Sequence, residues 1–203
     1  MDGSSWWDRL TRVPYTLDAM HVLFVHTALP YTPFNSSIAA LSARVKQAGH
    51  TTALLTIQDE ASDAEVQSAL LESGADVVGF SFMTCRAERV ASVVPLVRRT
   101  LPGVAVIAGG AHPTTYPEET LAGGDFDAVF CGEADDSLIQ WLTAPDEPIP
   151  GILRRGTNDA VVRARVTDVD ALPDWDRALF GDVSNAGNRY EQAVGVAFSR
   201  GFC

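Results

Sequence analysis

Basic residues are in short supply in this chain: 15 Lys and Arg stand against 26 Asp and Glu, for a formal net charge of -11 over 203 residues. A deficit of that size argues against a nucleic-acid partner, which needs Lys and Arg clustered on one face, and equally against an anionic membrane surface. Cysteine is scarce as well. Cys85, Cys131 and Cys203 are odd in number and far apart, which does not make a disulfide framework. No apolar run approaches the roughly 20 residues of a spanning helix. The opening MDGSSWWDRL has neither the basic start nor the apolar core of a signal peptide. These absences place the protein in the cytoplasm, as an ordinary globular chain with 46% hydrophobic residues.

What is present is a regular alternation. Residues 1–20 show no clear period and read as a leader segment. From His21, VLFVHTAL is a strand, and NSSIAALSARVKQAGH is a helix with Asn35 or Ser36 as its cap and Gly49 at its end. TTALLTI is a second strand, followed by a helix over ASDAEVQSALLESG. DVVGFSFMT is a third, followed by AERVASVVPLVRRTL, in which Pro95 predicts a kink or a late start. VAVIA, short and apolar without alternation, is a strand covered on both faces, and it ends in Gly109 and Gly110. A short helix near PEETLA, a fifth strand DAVFCGEA and a helix DDSLIQWL complete the series.

Strands alternating with helices across residues 21–145 specify an α/β fold, a flavodoxin-like doubly wound five-stranded parallel sheet of order 2-1-3-4-5. Its crevice lies at the carboxyl ends of the strands. PDEPIPG then opens a linker, residues 146–190, in which GILRRGTNDAVVRARV reads as a hairpin. AVGVAFSRGFC, within residues 191–203, reads as one more buried strand.

The loops discriminate among ligands. A receiver domain needs acidic residues after strand one, where His26, Thr27 and Ala28 stand instead. A flavodoxin needs a phosphate loop, but TALPYTPFN has two prolines and no glycine. GxGxxG is absent, which removes the dinucleotide fingerprint. A large, mostly apolar cofactor laid across the strand ends remains.

LPYTPF, AGH, VGFSFMT, AGGAHPTTYPEETL, VFCGEADDSL, IPGILRR, LPDWD and AFSRGFC, in that order and spacing over residues 21–203, resemble the N-terminal cobalamin (B12)-binding domain of B12-dependent radical S-adenosylmethionine (SAM) enzymes. The resemblance implies that Gly109 and Gly110 make room for the nucleotide tail of cobalamin. Ser81, Met83 and Thr84 would meet that tail or the corrin, and His112, Thr114, Gly132 and Glu133 would line the rim. Ser81 and Thr84 suit helix capping equally well, and Cys131 suits the core; Cys85 receives no role.

The loop HTALPYTPF lacks the DxHxxG by which other B12 proteins place a histidine below cobalt. The resemblance therefore implies no protein imidazole there and Tyr31 or a neighbour covering that face. SRGFC resembles the opening of the CxxxCxxC motif that holds a 4Fe-4S cluster, with Phe202 as an extra residue before Cys203. Cys203 would be a metal ligand at the start of a radical SAM domain in cis, and the cluster and SAM belong to a longer chain. The implied function is the cobalamin-binding part of a methyltransferase or related radical-based modifying enzyme. The alternative is a non-catalytic, degenerate B12-type fold that serves as a docking module.

Overall fold

The computed structural model describes residues 19–28, 34–156, 162–166 and 168–181. Six strands form one sheet: β1 (His21–Thr27), β2 (Thr51–Ile57), β3 (Val77–Ser81), β4 (Ala105–Gly109), β5 (Ala128–Phe130) and β6 (Ile152–Arg154). Their order is β2-β1-β3-β4-β5-β6. The first five run parallel in the order expected. The sixth is antiparallel to β5, with Val129 opposite Leu153.

The first arm of the expected hairpin supplies that sixth strand. Ile152–Arg154 pairs with β5, while Ala164, in the second half of the supposed hairpin, bridges Gly132 beyond the end of β5. The physical reason is the edge: without β6, β5 would present a row of unpaired backbone groups. The turn expected near Gly156 falls partly on residues 157–160, outside the described residues, as do residues 1–18 and 191–203.

Among the described residues, six helices cover the faces: α1 (Ser36–Gln47), α2 (Asp63–Ser73), α3 (Ala87–Thr100), α4 (Ala111–Thr115), α5 (Pro117–Gly123) and α6 (Asp135–Thr143). Asn35, not Ser36, caps α1 by accepting from Ile38 N at 3.1 Å. Ser62 and Glu65 form a reciprocal capping box at the start of α2. Helix α3 runs through Pro95 and starts at Ala87, directly after a 3-10 turn (Thr84–Arg86), so Pro95 does not delay its start.

Successive strand residues point to opposite faces, which divides the core in two. Leu23, Val25, Val78, Phe80, Val106 and Val129 pack against α2 and α3 through Leu70, Val90, Val94 and Val97. Val22, Phe24, Val77, Ala105, Ile107 and Phe130 pack against α1 and α6 through Ile38, Val45, Leu138 and Trp141. Cys131 lies in the first of these clusters, as expected of a core residue. No helix among the described residues is long and apolar enough to cross a membrane.

The chain returns to the α1 side after the sheet is complete. Asp176 N donates to Ala39 O at 3.0 Å, and the Asp176 carboxylate accepts from Ser42 Oγ at 2.5 Å and Lys46 Nζ at 2.7 Å. A 3-10 turn (Arg177–Phe180) follows, and its Leu179 and Phe180 pack on the α1/α6 half of the core.

Candidate functional site at the carboxyl edge of the sheet

Strand register brings three residues of the α1/α6 face into one row. Phe24 is opposite Gly79 and Val25 opposite Phe80, so His26 continues to Ser81; Ser81 is opposite Gly109. Adjacent strands stand about 4.8 Å apart, so the row His26, Ser81, Gly109 spans roughly 10 Å of strand ends. Its floor is made small by Ser81 and Gly109. A Cβ on Gly109 would meet nothing closer than Phe130 Cβ at 3.7 Å, an ordinary contact distance, so no close packing demands a glycine at that position.

Gly110 lacks a side chain for another reason. Its φ is +98°, and a Cβ there would lie 2.8 Å from Phe82 N and 2.9 Å from Phe82 O. The space beside Gly110 is thus taken by main chain, and of the glycine pair Gly109 is the one that opens the crevice. The two strand ends are tied by Phe82 N donating to Gly109 O at 3.1 Å and His112 N donating to Phe82 O at 3.2 Å.

The outer rim lies across the tips of β3 and β4. His112 Nδ1 and Thr84 Oγ1 are 3.2 Å apart, and the His112 ring lies 5.4 Å from Phe82 and 5.3 Å from Tyr116. Met83 is 49% exposed and Tyr116 46% exposed beside them. Neither Ser81 nor Thr84 acts as a helix cap. Met83 occupies the cap position of the 3-10 turn and Arg86 that of α3, both without a side-chain capping bond.

Thr114, Gly132 and Glu133 are brought together elsewhere, at a structural joint. Gly132 N donates to Thr114 Oγ1 at 3.0 Å, Glu133 N donates to Ala164 O at 3.0 Å, and the Glu133 carboxylate accepts from Val166 N at 2.6 Å. A Cβ on Gly132 would lie 2.3 Å from Ala164 O. These contacts account for Gly132 by the close passage of residues 162–166. Tyr31 and Cys203 lie outside the described residues.

Several residues of this edge escaped the sequence reading. His26 is only 6% exposed, and its Nδ1 has no hydrogen-bond partner, an arrangement that costs about 1–3 kcal/mol. Burial first, and then the positive charge of Arg86, hold its pKa below the ordinary 6.5. Alternation within VLFVHT was the available signal, since it puts His26 on the face of Val22 and Phe24. Ser137, 5% exposed on the inward face of α6, likewise has an unpartnered Oγ. Arg86 is buried and reaches Asp59 at 2.6 Å, across the tip of β1. Cys131 is 1% exposed, and burial with the negative charge of Glu118 pushes its thiol up to about 11, so it is protonated and unreactive near neutrality. No group of three or more His, Cys, Asp or Glu side chains suited to a metal ion occurs among the described residues.

The edge therefore offers small residues, neutral polar atoms and aromatic walls, with Arg86 joined to Asp59 through Nη2. That set suits a ligand rich in neutral amides and heteroaromatic rings.

Comparison with known proteins agrees. Cytidylyl-2-hydroxyethylphosphonate methyltransferase of Streptomyces wedmorensis is 29% identical over 106 residues, covering 49% of this chain and 20% of that protein. This chain thus spans about a fifth of that relative's length. Among solved structures, the cobalamin-dependent S-adenosylmethionine radical enzyme OxsB with aqua-cobalamin bound superimposes with a TM-score of 0.69 at 18% identity, over 85% of this chain and 26% of OxsB. The radical S-adenosylmethionine methyltransferase TsrM from Kitasatospora setae gives 0.60 at 15% identity, over 71% of this chain and 30% of TsrM. At such identities the likeness is one of fold. The model of the B12 binding domain matches residues 22–141, from β1 into α6 and more than half of the sequence, and by that match this chain belongs to the B12-binding domain family.

Proposed function

We propose that this chain holds cobalamin at the carboxyl edge of its sheet, as the cofactor-binding part of a radical SAM enzyme that transfers methyl groups. The observation that carries the reading is a coincidence of place. The family match over residues 22–141 contains both the open row His26, Ser81, Gly109 and the rim Met83, Thr84, His112 and Tyr116.

The residues present fit the cofactor. Corrin side chains are neutral amides, which Thr84 and His112 can hydrogen-bond, and the apolar ring plane suits exposed Met83 and Tyr116. Gly109, which presents no side chain at that edge, would leave room for the tail. When bound, cobalamin supplies the cobalt chemistry that carries a methyl group. The chain's own contribution is to orient the cofactor and keep water from its buried end. Tyr31 is proposed to cover the lower face. Thr114, Gly132 and Glu133 support the rim from behind through their hold on residues 162–166.

The methyltransferase assignment is favoured by the relative from Streptomyces wedmorensis, whose name states that activity. In the same reading, Cys203 is one thiolate of a 4Fe-4S cluster, and a radical SAM domain in cis supplies the other thiolates and the SAM site. The substrate would be selected by that domain. The test is to mix the purified chain with hydroxocobalamin, desalt it and record the visible spectrum. The expected result is a retained corrin band at close to one corrin per chain; a colourless protein contradicts the proposal.

A further inference from the structure

The crevice has a wall that does not come from the sheet or its helices. Residues 175–180, which follow the completed domain, lie against the tip of β1. The Phe180 ring is 4.8 Å from Phe34 and meets His26 edge-on at 6.1 Å. Trp175 stands 6.0 Å from Phe34, and the Arg177 guanidinium lies over both rings, at 5.8 Å from Phe34 and 5.3 Å from Trp175. Asp176 fixes the segment to α1 through its three bonds to Ala39, Ser42 and Lys46.

Beneath this cover His26 keeps an unpartnered Nδ1, although it is more than nine-tenths buried. Hydrophobic packing alone would favour an apolar residue at that position, and Val22 and Phe24 precede it on the same face. A buried imidazole nitrogen without a partner, one strand away from the open floor at Ser81 and Gly109, is an acceptor or donor awaiting a ligand atom.

We propose that His26 is a further binding residue, whose Nδ1 hydrogen-bonds the buried end of the nucleotide tail, and that residues 175–180 form the outer wall of that tail site. The inference rests on the cobalamin reading above. Its consequence is linkage. Because the segment that leaves the domain closes over His26, occupancy of the tail site and docking of residues 175–180 stabilise one another, and each must affect the other by the same factor. A chain segment outside the family match thereby senses whether the crevice is filled.

The test compares hydroxocobalamin with cobinamide, a corrinoid that has the same ring and no nucleotide tail, by absorbance titration of the 203-residue chain. His26→Leu should weaken cobalamin binding roughly tenfold, the loss expected of one buried hydrogen bond, and leave cobinamide binding unchanged. His26→Asn, which returns a polar atom near the position of Nδ1, should recover most of the loss. Asp176→Asn and Phe180→Ala, which loosen the wall and leave every strand residue unchanged, should also weaken cobalamin selectively. Thermal denaturation of each variant checks that the fold is retained, and the Asp176 and Phe180 variants carry the test if His26→Leu does not fold. Equal affinities of wild type and variants for cobalamin, or equal losses for both corrinoids, would overturn the inference. Failure of the wild type to bind either corrinoid would instead remove the cobalamin reading on which it rests.

Discussion

Gly110 lies so close to the main chain of Phe82 that a Cβ would stand 2.8 Å from its nitrogen, whereas a Cβ on the neighbouring Gly109 would touch only Phe130, at 3.7 Å. The two glycines at the end of β4 thus serve different ends. Gly110 lets the chain turn against β3 at a φ of +98°, a region in which non-glycine residues are strained. Gly109 leaves the crevice floor empty.

The pair can be separated by mutation. Gly110→Ala should destabilise the fold by about 1–3 kcal/mol from backbone strain, with further loss from the contact with Phe82. Gly109→Val should fold nearly as well as wild type, because a Cβ there meets only Phe130 at ordinary contact distance, yet lower cobalamin affinity roughly tenfold or more. Urea denaturation and corrin titration of the two variants check this. Similar stability losses in both would show that the positions are equivalent.

Acid should weaken the fold in two stages. His26 is held below its ordinary 6.5 by burial and by Arg86, and His50 is lowered by burial. The unfolded chain therefore takes up their protons first, and stability falls as pH drops below about 6.5. Burial works against the Asp176 carboxylate, but its hydrogen bonds to Lys46 and Ser42 and the charge of Lys46 outweigh it, leaving its pKa below the ordinary 3.8. The stability that Asp176 contributes is thus complete above that value and lost as pH falls through the lowered one. Urea midpoints measured from about pH 7.5 down to about pH 3 should fall in both windows, and His26→Leu should flatten the upper one. A profile flat between neutrality and pH ~5 would contradict the burial of neutral His26.

Gly132→Ala should detach residues 162–166 from the end of β5, since its Cβ would collide with Ala164 O, which stands 2.3 Å away. Limited proteolysis should then cut between residues 156 and 168 faster than in the wild type. An unchanged digestion rate would mean that this segment is held by other contacts.

The parallel sheet, its order and the start of α1 at Asn35 or Ser36 were legible in the sequence because each rests on a local rule: short apolar runs, glycine-terminated helices and small polar residues before them. The sixth strand was not, because ILR is too short to carry a period, and only the exposed edge of β5 calls for it. At the strand ends, the sequence pointed to the loops after β3 and β4, whose Thr84 and His112 lie together, but not to the different surroundings of Gly109 and Gly110. Alternation could have placed His26 on the inner face. What covers it could not be read, because the contact of Phe180 with His26 joins residues far apart in the chain. The contacts of Gly132 and Glu133 with Ala164 and Val166 were out of reach for the same reason, since those partners come from a distant segment.

Spectroscopy can separate binding from ligation at cobalt. With no DxHxxG after β1, with His26 placed beneath Phe180 and with His112 on the far rim beside Thr84, we expect cobalamin to be held base-off without a protein imidazole. At saturating cofactor, His26→Ala and His112→Ala should give the same visible spectrum as the wild type. A large shift in either would identify that residue as the lower ligand.

Where the cofactor sits is tested most directly by amide hydrogen exchange with and without saturating hydroxocobalamin. Binding at the carboxyl edge should slow exchange in the peptides that contain Ser81 to Thr84 and Gly109 to His112, while the exposed turns of α2 at the other face, around Leu71, keep their rates. Protection confined to α2 and α3, with the tips of β3 and β4 unchanged, would contradict the site assigned to this chain.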